Sequence, residues 1–96
     1  MHFGHAALAD WPLDPDVTYL NHGTVGVTPL RVLAAQRAIR DEMERAPSQF
    51  LLREQSGLVG APTGRPSRVR LAAHAIAAAL GARGDDLVFV DNATAP

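Results

Sequence analysis

Leu87-Val88-Phe89-Val90 is an unbroken run of large apolar residues, the pattern of a strand covered on both faces. A strand so placed leaves N–H and C=O groups on both edges that neighbouring strands must satisfy. The other β-prone run, Val17-Thr18-Tyr19-Leu20, is brief and is stopped by Asn21-His22-Gly23 and then Gly26, residues that accept turn and left-handed backbone. Two such runs are too little for a stable sheet. The expectation is therefore an unfinished α/β unit: an extended arm, two main helices and the first strand of a larger sheet.

The helices are legible from their punctuation. Residues 1 to 16 carry Trp11-Pro12 and Asp14-Pro15, and proline disfavours helix at the residue before it, so this stretch is expected as an extended arm. Thr28-Pro29 reads as a helix start, with a hydroxyl at the N-cap and proline in the first turn. The helix should run to about Ala46 with Val32, Ala35, Ile39, Met43 and Ala46 on one buried stripe. Pro47 ends it, and Ser48 is expected to cap a short helix through Phe50, Leu51 and Leu52. Residues 57 to 66 read as loop. Ser67 opens a second long helix with Val69, Ala72, Ala73, Ile76 and Leu80 on one stripe, and Gly81 supplies its C-cap before the turn Gly84-Asp85-Asp86.

Ninety-six residues with 47% hydrophobic content suffice for one small domain, but alanine dominates that content while Phe, Trp and Tyr together number five. Each buried residue thus removes little area from water, and a partner surface is expected. A formal charge of -1, with arginines mixed among carboxylates, gives no basic face for nucleic acid and none for an anionic membrane. Zero cysteines exclude a disulfide scaffold and thiolate metal sites, which fits a reducing compartment. The N-terminus has neither the basic stretch nor the apolar core of a targeting signal, so a cytoplasmic location without membrane attachment is expected.

The run Leu13-Asp14-Pro15-Asp16-Val17-Thr18-Tyr19-Leu20-Asn21-His22-Gly23-Thr24-Val25-Gly26 resembles the opening of class V aminotransferase-fold enzymes, most closely their isopenicillin N epimerase-like branch. Further blocks come after it in that family's order: Gln36-Arg37, Met43-Glu44, Phe50, Arg53, Leu80-Gly81-Ala82, and Asp86 through Thr94. The resemblance covers about residues 11 to 94 and implies an N-terminal segment of a fold type I pyridoxal-phosphate-dependent transferase. Residues 1-28 would form the arm and the Asn-His-Gly loop, and 29-96 the start of the cofactor-binding large domain. The complete enzyme would be a homodimer acting on an amino-acid substrate by epimerisation, transamination or carbon–sulfur cleavage, its pyridoxal 5'-phosphate withdrawing electrons from the α-carbon.

By the same resemblance, the turn at Asn92, Ala93 and Thr94 lies under the cofactor phosphate. A strand ending in small polar residues before a helix start is also where free amides can meet an anion; the plainer alternative is an ordinary strand-to-helix cap. Proline at residue 96 removes one amide from such a cup. Asn21, His22 and Gly23 would wall the substrate pocket by resemblance, or form a simple turn with a hydrogen-bonded histidine. His2 and His5 make a poor metal pair, His74 reads as a surface or interface histidine, and the charged residues from Arg37 to Arg45 as a solvated helix face. Arg53 falls where relatives approach the dimer contact.

Against all this stands the absence of lysine: the nine basic residues are all arginine. The family's cofactor is held as a Schiff base on a lysine amine, and no side chain here can replace it. The chain is thus expected to be a noncatalytic piece of such an enzyme. The competing expectations are a small noncatalytic module that pairs through its two amphipathic helices and a minimal phosphate-binding module built on the Thr94 turn.

Overall fold

The computed structural model describes residues 3–56 and 65–94. Its elements are a 3-10 helix at Gly4–Asp10, α1 at Leu30–Arg45, a π-helix at Gln49–Gln55, α2 at Arg68–Leu80 and a 3-10 turn at Gly84–Asp86. Among the described residues there is no strand. The chain divides into two units, Met1–Glu42 and Met43–Pro96.

In the first unit the expected extended arm is partly helical. Pro12 and Pro15 restrict only the residues before them, and Trp11 is accordingly extended at φ -129, ψ 143. Gly4–Asp10 is left free to coil, entered through Gly4 at φ 69 and closed by the Trp11 N–H donating to Leu8 O at 3.2 Å. Asp14 then builds a turn, accepting from Asp16 N–H on its carboxylate at 2.9 Å and from Val17 N–H on its carbonyl at 3.2 Å. That second bond takes the first donor of the expected Val17–Leu20 strand, and Leu20 is left 86% exposed. The ladder of α1 opens at Pro29, whose carbonyl accepts from Val32 and Leu33 at 3.0 and 3.1 Å, so the helix starts one residue later than the expected Thr28 cap would place it.

No residue of α1 is buried, so the expectation that its apolar stripe is covered is not met: Val32 and Ile39 are 39% and 45% exposed. After Arg45 the helical path resumes across Pro47, with Phe50 N–H donating to Ala46 O at 2.9 Å. Ser48 does not cap the Gln49–Gln55 segment. It is already helical at φ -65, ψ -44 and makes no capping bond, while the segment winds as a π-helix.

The second unit is organised by α2. Ser67 caps it as the sequence predicts, its Oγ accepting from Arg70 N–H at 3.2 Å. Gly81 ends it in the left-handed region at φ 72, with Gly81 N–H donating to Ala78 O at 3.3 Å and Ala82 N–H to Ala77 O at 2.8 Å. That bond pair is the Schellman closure. The face of α2 that is buried overlaps the expected stripe at Ala73 alone. Ala73 and Ala77 are fully buried, whereas Val69, Ile76 and Leu80 remain exposed. On the helical wheel the packed face is turned by roughly 60°, toward Arg70 and His74.

The Gly84–Asp86 turn explains that rotation. Arg70 donates through Nη1 to Leu87 O at 2.9 Å and through Nη2 to Gly84 O, holding the turn against the helix. Alanine at 73 and 77 lets the turn approach, and Gly84 is buried beneath the His74 ring, where a Cβ would collide. His74 also faces Asp85, Nε2 to Oδ1 at 3.3 Å, and its side chain stays half exposed. Phe50 is the one large side chain buried among the described residues, at 6% exposure. The Arg68 guanidinium lies 4.7 Å over its ring and 3.9 Å from Glu54, tying the π-helix to α2.

These bonds correct the expected α/β architecture. Leu87 donates its N–H to Gly84 O at 3.3 Å and gives its carbonyl to Arg70, so both backbone groups that would open a strand are used sideways. Val88, Phe89 and Val90 come next with no ladder partner and are 75%, 51% and 54% exposed. The fold type I sheet that the resemblance implies therefore has no counterpart in the described residues.

Two substitutions check this arrangement. Gly81→Ala forces a Cβ into the left-handed region and is expected to cost about 1 kcal/mol. Gly84→Ala is expected to lower the thermal midpoint by displacing His74, and adding His74→Ala should recover part of the loss; circular dichroism melts of the three variants measure both effects.

Candidate functional site

The resemblance-derived residues fall in separate units: Asn21, His22 and Gly23 in the first, Asn92, Ala93 and Thr94 in the second. In the first unit the loop folds on itself. Asn21 O accepts from Thr24 N–H at 3.3 Å and from Val25 N–H at 3.1 Å, while the Tyr19 hydroxyl reaches forward to donate to Val25 O. His22 stands edge-on to the Tyr19 ring, with centroids 4.9 Å apart and planes at 74°. The 3-10 helix of the arm lies beside this loop, and together they border an open cavity of about 590 Å³ lined by Leu8, Trp11, Leu13, Tyr19, His22 and Val27 among others. Its size is that of a small-molecule pocket, and its walls are chiefly apolar and aromatic with one imidazole. Of the three loop residues, His22 lines the cavity and Asn21 and Gly23 do not.

In the second unit Asn92, Ala93 and Thr94 form an exposed turn. Asn92 Oδ1 accepts the Thr94 N–H at 2.9 Å, an Asx turn. The Thr94 amide, a central donor of the expected phosphate cup, is therefore engaged within the chain. Ala95 and Pro96, the other parts of that cup, lie outside the described residues, as does His2 of the histidine pair.

As they stand, these residues do not fit pyridoxal 5'-phosphate. A phosphate would have to displace Asn92 from the Thr94 amide, the turn is exposed rather than enclosed, and no lysine exists to anchor the aldehyde. These residues by themselves therefore support no reaction step through the cofactor. Among the described residues no group of His, Asp or Glu side chains is gathered for a metal, and no helix is long and apolar enough to cross a membrane. Arg53, in the π-helix, is exposed.

Sequence reasoning passed over Trp11 as a cavity wall and Arg70 as the clamp of the second unit. Trp11 carried a signal, being the one tryptophan in a chain with few large aromatics. Arg70 carried none, because its partners are backbone carbonyls, which every residue possesses.

Tyr19→Phe removes the hydroxyl that holds Val25 and is expected to loosen the loop around the cavity. Because Trp11 is the sole tryptophan, the expected outcome is a red shift of intrinsic emission in Tyr19→Phe relative to the parent chain, and an unchanged spectrum would show that the hydroxyl does not shape the pocket. No family model matches the chain, and neither a curated protein nor a solved structure matches it.

Proposed function

We propose that these residues are the N-terminal portion of a pyridoxal-phosphate-dependent enzyme of the class V aminotransferase family, acting on an amino acid and noncatalytic as this chain alone. The observation that carries the reading is the ordered series of residue blocks from Leu13 to Thr94. The absence of lysine supports its second half, since the cofactor's covalent anchor has to come from other polypeptide. Large apolar side chains left uncovered on α2, notably Leu71 at 53%, Ile76 at 47% and Leu80 at 73% exposure, support it further, because additional polypeptide would cover them. Within that reading His22 and its cavity lie toward the substrate, Asn92 to Thr94 lie toward the cofactor phosphate, and the assembled enzyme is a cytoplasmic homodimer.

A second reading is favoured by the same exposure. A noncatalytic interaction module would use the uncovered faces of α1 and α2 to bind another chain, and needs no cofactor.

Reading the coding sequence past residue 96 in all three frames separates the two. The enzyme reading expects an aspartate to pair with the pyridine nitrogen and, further on, a lysine in the family's order; unrelated sequence in every frame contradicts it. The purified chain mixed with pyridoxal 5'-phosphate and amino acids is expected to give no turnover, and measurable turnover would overturn the noncatalytic half of the proposal.

A further inference from the structure

α1 is uncovered along its apolar stripe and carries its charges unevenly. Arg31 is the one charge in its first seven residues, Arg37 and Arg40 stand in the middle, and Asp41, Glu42 and Glu44 stand in its last five beside Arg45. A helix with a cation in its first turn and a net negative last turn is complementary at its ends to a second copy of itself laid antiparallel, and less so to one laid parallel.

A seam of three apolar residues and one glutamine obeys the same symmetry. With Val32, Gln36, Ile39 and Met43 as the seam, an antiparallel copy sets Val32 against Met43 and Gln36 against Ile39, each layer repeated by the two-fold axis. Arg31 and Glu42 flank the seam on one side, roughly 100° and 80° from Val32 on the wheel, and the two-fold brings each Arg31 to within about 3 Å of the level of the other copy's Glu42, a gap these long side chains span. We propose that α1 docks antiparallel on α1 of a second copy of this chain, with Ile39 at the centre of the seam and two Arg31–Glu42 pairs at its edges.

A helix of this length spans about 24 Å. Its stripe is smaller than the roughly 800 Å² per partner of a standard interface, so association is weak and concentration-dependent. The inference stands apart from the enzyme reading, since it uses neither the cofactor nor the loop and turn residues.

The test is sedimentation of the full 96-residue chain over a concentration series, with helix content of each variant checked by circular dichroism. The parent is expected to show a monomer–dimer equilibrium, and Ile39→Glu to abolish it. Arg31→Glu and Glu42→Arg should each weaken the dimer roughly fivefold or more by setting like charges together, and the double variant should restore it. Since the chain has no cysteine, orientation is read independently by oxidising a mixture of Gln36→Cys and Ile39→Cys chains, which should join as a mixed disulfide. A parent that stays monomeric at every concentration, a dimer indifferent to Ile39→Glu, a double variant as weak as the single ones, or cross-linking of each cysteine variant only with itself would overturn the proposal.

Discussion

The Arg70 guanidinium, spread between the carbonyls of Gly84 and Leu87, is the contact on which the packing of α2 against the turn after it depends. It fixes which face of α2 is buried, because the turn it holds packs on the side of the helix that carries Arg70 and His74. It settles the fate of the apolar run after the turn, because Leu87 can no longer offer its carbonyl to a strand. It also brings Gly84 under His74 and so gives Asp85 a partner. A planar fork with several fixed donors suits this task, whereas an ammonium would hold one carbonyl at a time.

The sequence signals that held were those that bind a residue to its immediate neighbours. Ser67 caps α2, Gly81 closes it, and Pro29 opens α1, each through bonds that span three to five residues. Such signals depend on local geometry alone. The signals that failed were those that needed a distant partner. An apolar run is a strand only where another strand answers its edges, and Leu87 to Val90 finds an arginine and a turn instead. The stripe on α2 failed for a related reason, since hydrophobic periodicity describes which face would gain most from burial and not which face a turn can reach.

The candidate site was legible to a lesser degree. His22 was singled out from its loop and does line a cavity, but nothing in the pattern of its run marked Tyr19, three residues earlier, as its aromatic partner, and the Trp11 wall lies before that run. At the other end, Asn92 and Thr94 were chosen as donors to an anion, and their side-chain and backbone groups answer each other instead. A short polar side chain two residues before an amide commonly takes that amide, so the Asx turn is the physically nearest outcome.

Residues 88 to 90 stay outside any ladder while α2 is held by its clamp, and amide hydrogen exchange on the chain measures this directly, residue by residue. The amides from Ala73 to Ala82 should exchange slowly, whereas those of Val88, Phe89 and Val90 should exchange near the rate of an unstructured peptide. Protection at Val88 to Val90 equal to that in α2 would mean that these residues are paired in a sheet, and would contradict the account.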